Sequence, residues 1–363
     1  MIPFVDLKAQ YQSIKEEMDA AIQRVLESTA FVLGSEVEAF ETAFAEYVGA
    51  KYCIGLNSGT AAVQVAVTAC GIGAGDEVIV PANTFFATAE AVSTAGATPV
   101  LVDADSVSYG LDVNKIEAAI TERTRAIMPV HLYGQSADLD PIFDIAARHN
   151  LVVIEDAAQA HGSEYKGRRI GALGRAGCFS FYPAKNLGAY GEGGAVTTND
   201  EDVALRVRLL RDHGSRRKYH HDIIGYNFRM EGMQGAVLGV KLKHLDRWKS
   251  LRREHAARYN ELLKESGLFL PREMEYARHV YHLYVVQTEN RDELQSSLNE
   301  AGVQTGIHYP IPIHLQRAYA SMGHKAGDFP EAERQAQRVL SLPMFPELTD
   351  EQIERVAQAI LGA

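Results

Sequence analysis

The 363-residue sequence predicts an α/β fold: a mainly parallel seven-stranded sheet with helices on both faces, and a small α+β domain after it. Two observations carry this. Between about residues 50 and 200, short apolar, β-rich runs alternate with helical patterns, as parallel strands joined by helical crossovers do. Beyond them come long helical stretches, and near residue 246 the pattern changes to a separate strand, helix and loop arrangement.

The chain opens with an amphipathic helical segment, roughly residues 10–47. Strands are expected at 53–56, 77–80, 98–102, 126–130, 151–155, 178–181 and 194–198. Most are short apolar runs bounded by Gly, Pro, Asp or Asn, of the length strands take. Helices are expected between them at 60–70, 87–95, 113–119 and 141–148, and after them at 202–211 and 230–263. The domain boundary falls inside the last of these. Residues 1–245 form the expected large domain with its helical opening, and 246–363 the small one. The small domain reads as strand 281–287, helix 291–301, a Pro/His-rich loop at 308–314 and a closing helix at 350–361.

Composition narrows the function. The net charge of −11 weighs against nucleic acid as a partner, because phosphate backbones need a basic face. It leaves room for one phosphorylated small molecule at a local site. Cys53, Cys70 and Cys178 have no paired spacing, so neither a disulfide framework nor a metal cluster is expected, and a reduced cytoplasmic setting is. The opening residues lack a signal-peptide pattern, and no run of 18 uncharged apolar residues suggests a membrane span.

Three stretches carry chemistry. Asn57-Ser58-Gly59-Thr60-Ala61-Ala62 follows a strand and opens a helix. Its small residues and free helix N-terminal amides suit an anion such as phosphate. In Val152-Val153-Ile154-Glu155-Asp156 an apolar strand ends in two carboxylates, where open α/β sheets place their ligands. An acid there can hold a cationic ring nitrogen. Cys178-Phe179-Ser180-Phe181-Tyr182-Pro183-Ala184-Lys185 runs from a strand into a turn with one lysine, and the glycine-rich 191–194 beyond it implies a tight loop. In isolation each has an ordinary reading: a helix N-cap, an ion-paired acid, a solvated lysine. In this order on one sheet they match what pyridoxal phosphate needs, namely a phosphate cradle, a carboxylate for the pyridine nitrogen and a lysine for the aldehyde.

On these residues the chain resembles the DegT/DnrJ/EryC1/StrS family of pyridoxal-phosphate sugar aminotransferases. The likeness extends to Pro81-Ala82-Asn83-Thr84-Phe85, His131-Leu132-Tyr133-Gly134 and Gly225-Tyr226-Asn227-Phe228-Arg229-Met230. It implies the aspartate-aminotransferase-like architecture of fold type I. By position it implies that Lys185 forms the Schiff base and shuttles the proton. Asp156 would pair with the pyridinium nitrogen, Gln159 with the ring hydroxyl, and Phe85 would stack on the ring. Gly59, Thr60 and Ser180 would bind the phosphate, and Asn227 would reach it from the neighbouring subunit of a homodimer. A lysine rather than a histidine at 185 points to transamination rather than dehydration.

The substrate end is less determined. The loop Gly306-Ile307-His308-Tyr309-Pro310-Ile311-Pro312-Ile313-His314 looks like that of members that aminate C3 of nucleotide-linked 3-keto-6-deoxyhexoses. Tyr182, Arg229, His308, Tyr309 and His314 are the expected substrate contacts. The basic stretch 213–221 suits a nucleotide diphosphate and equally a solvated loop. The resemblance thus implies amino transfer from L-glutamate, by way of pyridoxamine phosphate, to a dTDP-3-keto-6-deoxyhexose. UDP-3-keto uronic acids, 4-keto sugars and cyclitols are the alternatives within the family. A pyridoxal-binding regulator without turnover is the alternative outside it.

Overall fold

The seven apolar runs become one sheet. The computed structural model describes residues 1–362, and its strands are β1 Tyr52–Leu56, β2 Glu77–Pro81, β3 Thr98–Val102, β4 Thr124–Ile127, β5 Val152–Asp156, β6 Ala176–Ser180 and β7 Gly194–Thr198. Their order is β1-β7-β6-β5-β4-β2-β3. Only β7 runs antiparallel to its neighbours, β1 and β6; the remaining pairings are parallel.

Every residue of β2 and β6 is buried, because helices cover both faces of the sheet. On one face the helices Gly59–Ala69, Phe86–Thr94 and Glu201–Arg211 pack on Ile54, Val78, Val80, Ile154 and Val196. On the other, Ser35–Val48 and Leu139–His149 pack on Cys53, Ile79, Ile127, Phe179 and Phe181. Neighbouring residues of a strand thus enter different cores, as the two-residue period requires.

Several boundaries differ from the sequence expectation. The helical opening is three helices, Leu7–Ser13, Lys15–Ser28 and Ser35–Val48. Left-handed backbone at Thr29, Leu33 and Gly34 separates the last two. The stretch 230–263 divides into Gly232–Leu242 and Leu245–Leu263, where the amides of Lys243 and His244 bond to the carbonyls of Val240 and Lys241 in a tightened turn. The strand expected over 126–130 is Thr124–Ile127, since Pro129 has no N–H to extend the ladder.

The strand expected over 281–287 is shorter, β8 Tyr284–Gln287, because Tyr281 stands in left-handed backbone. It pairs antiparallel with β9 Val339–Leu342, a strand the sequence reading does not contain. A separate core surrounds this pair. Tyr259 and Leu263, Leu298, and Ile353, Val356 and Ile360 supply it, together with Ile2 from the other end of the chain. Thr349 and Gln352 form a capping box on the closing helix Asp350–Leu361. No helix among the described residues is long and apolar enough to cross a membrane.

Candidate functional site

A cavity of about 480 Å³ opens beyond the carboxyl ends of β1, β5 and β6. One wall is the start of the helix Gly59–Ala69. Ser58 caps it, its Oγ accepting from the Ala61 N–H at 3.1 Å, and the first amides, those of Gly59 and Thr60, have no partner within the helix. Two glycines make this approach possible. A Cβ on Gly59 would lie 2.4 Å from the Ser180 Cβ, and one on Gly194 would lie 2.1 Å from the Ser58 carbonyl oxygen. Helix start, β6 end and β7 start therefore meet in one small cradle.

The end of β5 divides two adjacent acids. Asp156 lines the cavity. Its Oδ2 accepts from the Thr88 hydroxyl at 2.8 Å and its Oδ1 from the Ala158 N–H at 3.1 Å. Burial pushes its pKa above the usual carboxylate range, against the pull of those two donors and of Lys185. Glu155 points the other way. It accepts from the N–H groups of Gly171, Leu173 and Gly174 at 2.7–2.8 Å and from His131 Nε2 at 3.1 Å. His131 Nδ1 accepts from the Ala137 N–H, so Nε2 carries the proton. Glu155 organises a loop; Asp156 serves the cavity.

Lys185 sits in the turn after β6 and lines the same cavity. Its N–H bonds to the Tyr182 carbonyl at 2.8 Å. A Cβ on Gly188 would meet the Pro183 oxygen at 2.2 Å, which keeps the turn tight. Lys241, fully buried, donates to the Gly188 carbonyl at 2.7 Å and pins the turn from behind. Burial pushes the Lys185 pKa down to about 8, with Asp156 opposing.

The 306–314 loop forms the remaining side. His308 and Tyr309 line the cavity. His308 Nδ1 lies 2.9 Å from Ser341 Oγ, and burial pushes its pKa down to about 4. Gln159 accepts from the Tyr133 N–H at 2.8 Å and donates to the Tyr309 hydroxyl at 2.9 Å. Phe85, half-exposed, meets the Tyr309 ring at 5.2 Å. Tyr182 also borders the cavity.

Two expected substrate residues lie elsewhere. His314 is buried away from the cavity against Phe329, its Nε2 2.9 Å from Glu333. The short helical turn Ile313–Leu315 carries it into the core. Arg229 is held by Asp212 at 2.6 Å, in backbone that bridges to Leu56, and does not reach this chain's cavity. Asn227, expected to act on a neighbouring subunit, lies outside this chain's cavity, bridged to Asp212. The basic stretch forms an exposed hairpin, Ser215–Arg217 against His220–His221, outside the cavity.

The structure adds Phe4, Thr88, Glu192 and His282 to the cavity wall. Thr88 has a faint sequence signal, four residues after Thr84 on a predicted helix, and the two hydroxyls lie 2.9 Å apart. Phe4 and His282 have none, for they arrive from distant parts of the chain.

Pyridoxal 5′-phosphate suits these residues on structural grounds. The glycine cradle that a Cβ would fill leaves amides and a hydroxyl for phosphate. A buried carboxylate, hydrogen-bonded to the Thr88 hydroxyl and the Ala158 N–H, stands ready for a ring N–H, and a lysine with lowered pKa shares the cavity. Fold and site together define the class of pyridoxal-phosphate-dependent aminotransferases. The chain belongs to the DegT/DnrJ/EryC1/StrS aminotransferase family, whose model matches residues 12–361. It is similar to the dTDP-3-amino-3,4,6-trideoxy-alpha-D-glucose transaminase of Streptomyces venezuelae, 49% identical over 99% of this chain and 95% of that one. It is 49% identical to the pleiotropic regulatory protein of Geobacillus stearothermophilus, over 99% of this chain and 97% of the relative. The crystal structure of S. venezuelae DesV in complex with a ketimine intermediate superposes with a TM-score of 0.98 at 49% identity, covering 99% of this chain and 98% of that one.

Proposed function

We propose that this aminotransferase moves the amino group of L-glutamate to C3 of a dTDP-linked 3-keto-6-deoxyhexose. The observation that carries the chemistry is the convergence of Lys185, Asp156 and the Gly59–Thr60 helix start on one cavity. The choice of sugar is supported by near-half identity, over almost the whole chain, to a transaminase of a dTDP-linked deoxy sugar.

Bound pyridoxal phosphate supplies an aldehyde that carries the amino group and a ring that accepts electrons. The protein's part is to hold and to move protons. The Gly59 and Thr60 amides and the Ser180 hydroxyl hold the phosphate. Asp156, steadied by Thr88, keeps a proton on the ring nitrogen. Gln159 Nε2 donates to the ring hydroxyl, and Phe85 covers the ring face. Lys185 Nζ, its pKa lowered to about 8 by burial, takes a proton from the substrate carbon and returns it. Tyr182, His308 and Tyr309 border the space left for the sugar. Asn227 acts on the phosphate of a second copy in a homodimer with shared sites. The reading includes a cytoplasmic setting, and a division near residue 245 between a large cofactor domain and a small one.

The second reading is a cofactor-binding regulator without turnover, favoured by the name of the Geobacillus relative, a pleiotropic regulatory protein. The net charge of −11 opposes a DNA-binding role. Absorption spectra of the purified holoenzyme separate the two. Glutamate should bleach the cofactor's visible band, and one keto sugar from a dTDP and UDP panel should restore it. A dTDP-3-keto-6-deoxyhexose is the expected one. A band that glutamate leaves untouched, with a DNA shift on gels, would support the regulator instead.

A further inference from the structure

We propose that Tyr133 is a positioning residue that couples the cofactor side of the cavity to its substrate side. The assignment of sides rests on the function proposed above. Two hydrogen bonds leave Tyr133, one from its backbone and one from its ring. Its main-chain N–H donates to Gln159 Oε1 at 2.8 Å. Its hydroxyl donates to the His308 carbonyl oxygen. Gln159 Nε2 in turn donates to the Tyr309 hydroxyl at 2.9 Å. Since Tyr309 follows His308 in the chain, the links close a ring: Tyr133, Gln159, Tyr309, His308 and back.

The polarity of this ring is determined by its members. A backbone N–H can only donate, so it claims the Gln159 oxygen and fixes which way the amide faces. The Gln159 NH₂ then points towards the cavity and Tyr309. A carbonyl can only accept, so the Tyr133 hydroxyl spends its proton on His308. Tyr309, having accepted from Gln159, keeps its own proton for an acceptor in the cavity; no described residue takes it. The ring thus presents a donor to an incoming oxygen without touching that oxygen through Tyr133.

Tyr133 itself is held firmly. Its backbone is left-handed, with φ 59°, a conformation a bulky residue keeps only when its surroundings enforce it. Its carbonyl accepts from the Leu283 N–H at 3.2 Å. Its ring packs edge-on against Tyr109 at 5.1 Å, and Tyr109 is tied to Gln287 at 2.8 Å. The next residue, Gly134, leaves no room for a side chain: a Cβ would lie 2.8 Å from the His282 N.

The test uses the full-length, cofactor-loaded protein and Tyr133→Phe, which keeps the ring and the backbone N–H and deletes only the link to His308. Amide hydrogen exchange should quicken at least tenfold in peptides covering 306–311 and stay unchanged in those covering 152–156. Unchanged exchange at 306–311 would overturn the proposal. Tyr309→Phe opens the same ring from the other side and should give the same exchange signature; its failure to do so also counts against the proposal, and it serves if Tyr133→Phe does not fold. Kinetically, Tyr133→Phe should lower kcat/KM for the keto sugar at least tenfold, leaving the visible spectrum unaltered and the glutamate half-reaction within twofold. Equal slowing of both halves would mean a merely structural role and overturn it. The double variant should be no worse than the poorer single one; additive losses would break the coupling. If no nucleotide sugar reacts with the wild type, the functional reading fails, and exchange alone still decides the role of Tyr133.

Discussion

Gly59 and Ser180 stand so close that a single methyl group between them would displace backbone: a Cβ on Gly59 would lie 2.4 Å from the Ser180 Cβ and 3.0 Å from its Cα. Gly59→Ala therefore pushes the helix start away from the end of β6. Overpacking of this kind costs about 1–3 kcal/mol. It also parts the amides from the hydroxyl proposed to share the phosphate. Cofactor affinity, measured by absorbance titration, should fall at least tenfold. The double variant Gly59→Ala, Ser180→Gly separates the two effects. It should recover part of the stability, since the contacts with the Ser180 Cβ and Oγ are gone and the 3.0 Å approach to its Cα is left, and fail to recover affinity, since the hydroxyl is gone too. Full recovery of affinity would show that Ser180 contributes only shape.

Lys185 titrates within reach of neutral pH. Burial lowers its pKa to about 8, so about one molecule in ten holds a neutral amine at pH 7, against roughly one in 3,000 for an ordinary lysine. The neutral amine is the form that attacks an aldehyde. Capture of pyridoxal phosphate by cofactor-free protein should thus accelerate with rising pH and level off above about 8. Asp156 favours the charged lysine, so Asp156→Asn should move that midpoint lower. A rate that keeps climbing towards pH 10 would mean an unperturbed lysine. Lys185→Ala should abolish the capture altogether.

Glu155 and Asp156 should separate cleanly under mutation. Glu155 satisfies three backbone N–H groups and His131 in a fully buried place. Glu155→Ala leaves those donors unpaired, which costs on the order of 3–5 kcal/mol. Its thermal midpoint should drop by several degrees. Asp156→Asn keeps the volume and sits in a position where burial already disfavours charge. Cofactor-free Asp156→Asn should melt within about a degree of the wild type, while its glutamate half-reaction slows about 10²–10³-fold. Calorimetry and single-turnover spectra check the pair. A large loss of stability in Asp156→Asn would place that residue with Glu155 as a structural acid.

What sequence could tell followed from local patterns. β2 and β5 are apolar runs with breakers at their ends, and the junctions at Ser58–Thr60 and at Asp156 lie where such strands stop. The order of helix start, acid and lysine along one sheet is therefore legible in the sequence, and the three line one cavity. The split between Glu155 and Asp156 was not, because it depends on what lies across each face of β5: a loop of amides on one side, a cavity on the other. β9 is not legible in the sequence because four residues directly after a helix carry almost no periodicity. Phe4 and His282 reach the cavity only through packing between segments far apart in the chain, and the links that Tyr133 makes to Gln159 and His308 depend on the same packing. The Pro/His-rich loop shows the limit most plainly. Both histidines look alike in sequence, and a three-residue turn sends one inwards to the core and leaves the other at the cavity.

That difference is open to direct measurement. His314 lies against Phe329 with its Nε2 on Glu333, which also accepts from the Gly327 N–H at 2.8 Å. His314→Ala removes one partner from this knot and leaves a small void. Stability should fall by about 1–3 kcal/mol, while KM for the keto sugar stays within twofold of the wild type. His308→Ala should do the reverse. His308 borders the cavity and stacks on the Phe4 ring, 5.7 Å away, which lines the same cavity, so its loss opens the sugar side more than it loosens the core. KM should rise at least fivefold, with a smaller shift in the melting midpoint than His314→Ala produces. If instead His314→Ala raised KM and left the midpoint unmoved, the loop would have to turn over in solution to bring His314 to the substrate, and the packing against Phe329 could not be its resting state.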